Sequence, residues 1–303
     1  MDMVNVKREK SETKKGSIKS FFSKLIHMKY FSLTCWLIGL VILWEIVATY
    51  VATKFRTPEN YLPHLYQIIA SIFTAKTSNT LVIQTIFGAA GNTLLYAVIG
   101  FIIGIVVGYL FAVLMSLFKF IEKIMFPYLI LIQMIPILGM APVIFAMTGN
   151  SGDAAKIIIA AILTFYPIST NVLAGFKSVE KEKHDLMSLC AANIFQKYFK
   201  TMIPAGLPYF FTGLKIAAPL ALTSAMLVDT LQTGNNLGSL LSQSLKGGMT
   251  RYVFWQIVLL SAVIGVGSTG LMGLLERIIL RYRYPRKKRV RKWFYEESKN
   301  CLE

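Results

Sequence analysis

The sequence of 303 residues contains few charged residues, few histidines and few cysteines. Asp, Glu, Lys and Arg make up 16% of the chain, whereas a soluble domain carries about 25%. The three cysteines and three histidines are scattered along the chain: Cys35, Cys190, Cys301, His27, His64 and His184. Their spacing matches neither a disulfide framework nor a metal site. We therefore expect no metal centre in this chain.

The motifs of nucleotide-dependent and hydrolytic chemistry are also missing. The P-loop pattern GxxxxGK[ST] occurs nowhere, so the chain is not expected to hydrolyse ATP in the P-loop manner. The stretch GVGSTG at 265–270 matches a dinucleotide fingerprint by letter, but it lies in an apolar run without the strand that this fingerprint requires. No nucleophile, base and acid form a plausible set. The sequence predicts a chain that is not an enzyme and has no cofactor of its own.

Long apolar runs account for most of the sequence, of which 55% is hydrophobic. A helix needs about 20 apolar residues to cross a hydrocarbon layer of about 30 Å. The runs predict an all-α integral membrane protein with six spans, near 31–51, 93–116, 125–148, 155–176, 207–230 and 253–280. Pro136 and Pro142 are expected to break the third span.

The net charge of +17 is concentrated beside the predicted spans. The segments 1–30, 117–124, 177–203 and 277–303 hold 25 Lys and Arg, whereas 52–85, 149–156 and 231–252 hold six. Lys and Arg accumulate on the cytoplasmic side and face anionic lipid there. We predict a basic cytoplasmic tail at 1–30, a membrane domain at 31–282 and a second cytoplasmic tail at 283–303. Binding of nucleic acid, the other common role of a basic chain, is not expected.

Two sets of residues within the spans suggest how the bundle works. Gly100, Gly104, Gly108 and Ala112 recur every four residues and predict close packing against another helix. Polar or polarizable groups in otherwise apolar stretches suggest a water-lined path near the prolines of the third and fourth spans and the outer end of the fifth. These candidates are Gln133, Met134, Pro136, Thr164, Asn171 and Asp229. Hydrogen bonding between helices is an equally good explanation for any one of them.

A polar and aromatic segment interrupts the apolar pattern between the fourth and fifth spans. It reads DLMSLCAANIFQKYFKTMIP from Asp185 to Pro204 and predicts an amphipathic helix over 183–203 that Pro204 and Pro208 end. The residue pattern alone fits an interfacial linker or a docking helix equally well.

This segment resembles the EAA loop, E-A-A-x3-G-x9-I-x-L-P, of permease subunits of binding-protein-dependent ABC importers. Aligning the final Leu-Pro on Ile203-Pro204 places the acid at Asp185 and the glycine at Ala191. The segments YPISTNVLAGFKSVEKE and IPAGLPYFFTGLKIA are similar to FFPIFLNTLAGLRSVDP and LPAALPYIFTGLRIA of the nitrate/sulfonate/taurine branch. The resemblance covers about residues 58–282, without the two tails.

The resemblance implies a six-span type I permease bundle in the bacterial cytoplasmic membrane, with both termini inside the cell. The cytoplasmic segment would be the coupling helix for a separate ATPase subunit, which would bind ATP and Mg. Its implied contact residues are Asp185, Leu186, Leu189, Ala191, Ile194, Phe195, Tyr198, Phe199, Ile203 and Pro204. Further implied partners are an external solute-binding protein, a second permease copy and membrane lipids.

The family pattern also implies a role for two glycines, and two other functions are alternatives to the importer. By position in the family pattern, Gly234 and Gly238 would shape an outer re-entrant turn. A stand-alone secondary carrier is the main alternative, but ionisable groups deep in the spans are scarce, and such carriers usually need them. A membrane scaffold or sensor that retains the permease fold is the other alternative.

Overall fold

The computed structural model describes residues 29–55, 61–74, 76–77, 80–247 and 251–283. The predicted tails at 1–30 and 283–303 lie outside these ranges except at their inner edges. The described chain is almost entirely helical, and it divides after Thr74 into two compact units. The first unit contains α1 (Lys29–Lys54) and α2 (Leu65–Thr74).

The second unit begins with a short antiparallel pair, β1 (Lys76–Thr77) and β2 (Thr80–Leu81), in which Thr77 pairs with Thr80. Its helices are α3 (Val82–Leu117), α4 (Lys119–Met134), α5 (Ile137–Met147), α6 (Gly152–Lys177), α7 (Lys181–Leu189), α8 (Ile194–Lys197), α9 (Ile203–Asp229), α10 (Leu237–Leu245) and α11 (Arg251–Arg283). A π-helical turn, Tyr198–Met202, joins α8 to α9.

In the first unit, a carboxylate on α1 holds the start of α2. Glu45 accepts the backbone N–H of Leu65 at 3.0 Å, and its other oxygen lies 2.6 Å from His64 Nδ1. The indole N–H of Trp44 donates to the carbonyl of Pro63 at 3.1 Å. A carboxylate at a helix N-terminus satisfies free N–H groups and is favoured by the helix dipole. Glu45 therefore joins α1 to the start of α2.

The core of the second unit lies between α3, α6 and α9, and the contacts of α6 with the other two are the most extensive between described helices. Its buried side chains come from these three helices and from Leu129 on α4: Ala112, Met115, Leu129, Phe165, Ile168, Val172, Leu173, Phe176, Phe211, Leu214 and Ala217. Aromatic rings at one end make edge contacts, with the Tyr109 ring 6.2 Å from Phe176 and 6.0 Å from Phe210.

Backbone contact between α3 and α6 confirms the predicted small-residue face. A Cβ added to Gly100 would lie 2.7 Å from the carbonyl of Ile157, and one added to Gly108 would lie 2.7 Å from that of Phe165. The Ser169 hydroxyl donates to the Gly108 carbonyl at 2.9 Å across the same contact. Side chains larger than glycine would push the two helices apart.

Five described helices are long and apolar enough to cross a membrane: Thr34–Lys54, Val82–Leu117, Gly152–Lys177, Ile194–Asp229 and Tyr252–Tyr282. The third predicted span is a bent pair, α4 and α5, which makes a sixth candidate if it counts as one. The break lies at Ile135 and Pro136, because a proline disfavours helical backbone in the residue before it. Pro142, expected to cause a second break, lies inside α5 instead.

The close contact between α3 and α6 predicts that Gly108→Ala destabilises the fold. The new methyl group would meet a backbone carbonyl that cannot move without shifting α6, and such overpacking costs about 1–3 kcal/mol. The check is the midpoint of thermal unfolding in detergent micelles, which we expect to fall.

Gly91→Ala is the matched control on the same helix, since a Cβ there meets no described atom within 4 Å. We expect this variant to unfold at or slightly above the parent temperature, because alanine favours helices over glycine. Equal midpoints for the two variants would contradict tight packing at Gly108.

Candidate functional site

The segment between α6 and α9 contains two helical pieces rather than the single helix predicted over 183–203. Helix α7 ends at Leu189, and α8 starts at Ile194. The Ala191 N–H donates to the Ser188 carbonyl and the Ala192 N–H to the Met187 carbonyl, each at 3.0 Å. This pair of bonds is a Schellman motif, whose left-handed residue here is Ala191 with a φ of 50°. The prediction of one continuous helix is therefore wrong.

Polar side chains in this segment bond to one another across the turn. Lys197 Nζ donates to the Ser188 hydroxyl at 3.0 Å, which connects α8 to α7. The Asn193 N–H donates to Gln196 Oε1 at 3.1 Å, as in a capping box at the start of α8. The first bond joins the two helical pieces, and the second fixes the start of α8.

Seven of the ten residues predicted for docking have exposed side chains: Asp185, Leu186, Leu189, Ala191, Ile194, Phe195 and Phe199. Leu189 is 85% exposed and Phe195 is 77% exposed. Both flank the turn, one on each helical piece. The turn therefore presents an apolar surface, called here the α7–α8 surface, made by Leu186, Leu189, Ile194, Phe195 and Phe199.

The other three predicted residues, Tyr198, Ile203 and Pro204, are half-buried. The Tyr198 hydroxyl donates to the Ser116 hydroxyl at 2.9 Å on α3, and its ring lies 6.0 Å from that of Phe176 on α6. Ile203 packs against the main core. These residues connect the segment to the helix bundle.

The expectation that Pro204 and Pro208 end the helix is also wrong. The helical backbone continues from Ile194 through both prolines to Asp229. A proline lacks an N–H and crowds the carbonyl four residues earlier. The wider π turn at Tyr198–Met202 ends two residues before Pro204 and accommodates both effects.

The residues predicted for a translocation path fall into separate places. Gln133, Met134 and Pro136 are exposed at the break between α4 and α5. Thr164 is buried against α3, where a Cβ on Gly104 would lie 1.9 Å from its hydroxyl. The half-buried Asn171 side chain donates to the Pro167 carbonyl of its own helix at 2.7 Å.

The remaining three path residues, Asp229, Gly234 and Gly238, lie where α9 turns into α10. Gly234 is exposed in the turn, and a Cβ on the buried Gly238 would lie 2.0 Å from the Met226 carbonyl and 2.6 Å from Asp229 Cβ. Only a glycine at 238 lets α10 approach α9 so closely.

A buried ion pair at this end of the bundle was missed by the sequence analysis. The count of Lys and Arg placed Lys156 in the outer segment 149–156. This residue lies in α6 instead, and its side chain has no exposed area. Its Nζ is 2.9 Å from Asp229 Oδ1, whose side chain is also fully buried, and 3.1 Å from the half-exposed Asp153. The ammonium group also lies 4.7 Å from the centre of the Tyr96 ring.

Two features of the sequence point to this pair in retrospect. Lys156 follows Asp153 by three residues, and the apolar run AAKIIIAAIL surrounds it. A lysine within an apolar helix needs a partner, since an isolated buried charge is costly. The partner lies 73 positions further along the chain, which residue spacing does not reveal. The described chain contains no group of three or more His, Cys, Asp or Glu that could hold a metal.

Comparison with known proteins gives the family. Residues 100–281, more than half of the chain, match the family described as binding-protein-dependent transport system inner membrane component. The formylaminopyrimidine transport permease protein ThiX of Halalkalibacterium halodurans is 30% identical over 82% of this chain and 95% of its own length. The nitrate import permease protein NrtB of Synechocystis is 26% identical over 79% of this chain and 83% of its own length.

A solved structure has the same fold. It is the crystal structure of an amino acid ABC transporter with histidines, with a TM-score of 0.55 and 18% identity over 64% of this chain and 94% of the other. The long apolar helices, the interrupted segment between α6 and α9 and these relatives all indicate the same family. The chain belongs to the inner-membrane permease components of binding-protein-dependent ABC transporters, of the nitrate/sulfonate type.

Proposed function

We propose that this permease takes up a small solute delivered by an external binding protein and is driven by a separate ATPase subunit. The ATPase would dock on the α7–α8 surface. It would also bind the ATP and Mg, since this chain contains no P-loop motif. Membership of the permease family supports this assignment, and it favours an ABC importer over a stand-alone secondary carrier or a scaffold.

The single observation that carries the proposal is the exposed α7–α8 surface. Its five side chains are between 60% and 85% exposed, although they are apolar or aromatic. They stand on a segment with several lysines and acids, which favours a position in water rather than in lipid. An apolar patch with a polar rim is typical of a protein-binding site.

Contacts behind this surface would carry force into the bundle. Tyr198 follows α8 directly and is bonded to Ser116 on α3, while its ring touches that of Phe176 on α6. The chain then continues as helix, without a break, into α9. A shift of the docked segment would therefore move α9 relative to the ends of α3 and α6, which is the kind of helix movement used in transport switching.

The path itself would run beside the break between α4 and α5. Gln133, Met134 and Pro136 are exposed there, and Ile135, Ile137, Ile159, Leu163, Thr223, Ser224 and Leu227 line a nearby cavity of about 310 Å³. Thr164 and Asp229 are enclosed in helix contacts. In this proposal the enclosed residues stabilise the walls, whereas those at the break meet the solute.

A second permease copy would complete the path, with both termini of each copy inside the cell. Helix α11 supports this arrangement, because a Cβ on Gly267 or Gly270 meets nothing within 4 Å in the described chain. Exposed small residues on a membrane helix let another helix approach closely. The relatives handle solutes as different as nitrate and formylaminopyrimidine, so in this proposal the binding protein selects the solute.

The docking role predicts that Leu189→Ala combined with Phe195→Ala releases the ATPase. Truncating two central apolar contacts weakens a protein interface by about 2 kcal/mol or more, or roughly 30-fold in affinity. The measurement is co-purification of the ATPase from detergent-solubilised membranes, together with solute uptake by cells. We expect both to fall while the amount of permease in the membrane stays constant.

Phe120→Ala is the matched control, because Phe120 is 74% exposed on α4, outside the α7–α8 surface. We expect it to retain the ATPase. If the double variant also retained the ATPase and uptake, the docking surface would have to lie elsewhere.

The left-handed backbone at Ala191 generates a separate prediction. An alanine in this conformation costs about 1 kcal/mol, and glycine adopts it without strain. Ala191→Gly should therefore slow hydrogen exchange at the Ala191 and Ala192 amides, whose bonds define the turn. Ala192→Gly, which removes a side chain next to this position, should speed it. Equal exchange in the two variants would mean that Ala191 is not strained.

A further inference from the structure

A hydrogen-bonded network connects four helices at the end of the bundle opposite the α7–α8 surface. Thr93 on α3 donates its hydroxyl proton to Asp229 Oδ2 on α9 at 2.6 Å. The same hydroxyl oxygen accepts the backbone N–H of Leu237, the first residue of α10, at 3.0 Å. Lys156 on α6 pairs with the other oxygen of Asp229. All three side chains are fully buried.

The direction of these bonds follows from the charge of Asp229. A hydroxyl has one proton to donate, and Thr93 can offer it to the carboxylate at 2.6 Å or to the Ala89 carbonyl at 3.2 Å. The charged and closer acceptor is preferred. With the proton on that side, the lone pairs of the hydroxyl face the Leu237 N–H. Asp229 therefore orients Thr93 for its second bond.

Lys156 is the ion-pair partner of Asp229 in this buried place. A buried carboxylate without a partner is costly, and the 2.9 Å contact with Lys156 supplies that partner. The described groups that face Lys156 are Asp229, Asp153 and the Tyr96 ring. The network thus runs from α6 through α9 and α3 to the start of α10.

The chain between α9 and α10 is partly exposed, and backbone bonds at the end of α9 and side-chain bonds near α10 hold it. Leu231, Thr233, Gly234 and Asn235 are exposed. Two side chains bond to neighbouring carbonyls near its α10 end: the Asn92 side chain donates to the Asn235 carbonyl at 3.1 Å, and the Ser239 hydroxyl donates to the Gly234 carbonyl at 2.6 Å. The first bond joins the turn to α3 and the second joins it to α10, so this part of the turn follows the positions of these two helices.

We propose that Thr93, oriented by the Lys156–Asp229 pair, is a positioning residue that holds α10 and with it the exposed turn at 231–236. The inference rests on the proposed function for its purpose: this turn lies at the predicted outer end of the path, where a binding protein would deliver the solute. The network holds the turn in one geometry while the opposite end of the bundle moves together with the docked ATPase.

The test is hydrogen exchange of the chain in lipid nanodiscs, with Thr93→Val and Thr93→Ser compared with the parent. Valine keeps the shape of threonine but has no hydroxyl, so the Leu237 amide loses its acceptor and should exchange roughly fivefold faster or more. Serine keeps the hydroxyl and should restore slow exchange. The amides of Ala191 and Ala192 at the other end should stay unchanged in both variants.

A second variant keeps the test decisive if Thr93→Val does not fold. Lys156→Met with Asp229→Asn removes both charges and leaves an amide oxygen that Thr93 can still bond. We expect this double variant to protect Leu237 better than Lys156→Met with Asp229→Leu, which removes the acceptor as well. Equal protection in the two double variants, or parent-like exchange in Thr93→Val, would overturn the proposal.

The outcome is separate from that of the proposed function. Exchange at Leu237 is measured on the permease alone, whereas the ATPase partner is tested by co-purification. A chain that shows the expected exchange pattern but binds no ATPase would refute the importer assignment and leave the positioning role intact. If instead the chain bound the ATPase and the Leu237 amide exchanged equally fast in Thr93→Val and the parent, the positioning role would be refuted and the importer assignment would stand.

Discussion

The backbone contact between α3 and α6 is the constraint on which the rest of the second unit depends. Lipid is as apolar as the helix surfaces, so burial alone gives little reason for helices to associate in a membrane. Close approach at Gly100 and Gly108 replaces that missing force with van der Waals contact and the bond from Ser169. Helix α6 then has a fixed position, and each of its ends carries part of the proposed machinery. Lys156 lies near one end, and the segment that forms the α7–α8 surface follows the other.

Three ion pairs join different helices of the second unit. Lys156 meets Asp229, Lys215 on α9 meets Glu276 on α11, and Lys177 on α6 meets Glu122 on α4. A buried pair contributes little net stability, but losing one partner leaves a costly charge. This reasoning applies to Lys156 and Asp229, which are both fully buried, whereas Lys177 is 54% exposed. Each pair joins helices that are distant in sequence.

The segment between α6 and α9 makes a glycine-type turn without a glycine. The position that aligns with the family glycine is Ala191, and its backbone is left-handed, as a glycine at that position in a Schellman motif would be. The turn therefore persists at a cost in local strain, because its hydrogen bonds and the flanking contacts of Lys197 and Gln196 outweigh the unfavourable φ. The two exposed helical pieces are held in place by this one turn.

The sequence alone was sufficient for the helical membrane class, the close face of α3 and the approximate spans, because each of these depends on local composition or on a short repeat. It also located the exposed segment, since polar and aromatic residues stand out within apolar runs. Helix continuity through Pro204 and Pro208 was decided by a π turn, which depends on backbone geometry rather than on residue type. The role of Lys156 was decided only by folding, because its partner Asp229 comes from another helix and reaches it through the contact of α6 with α9. Local patterns determine what a helix is, but burial and pairing of a charge are properties of the packed bundle.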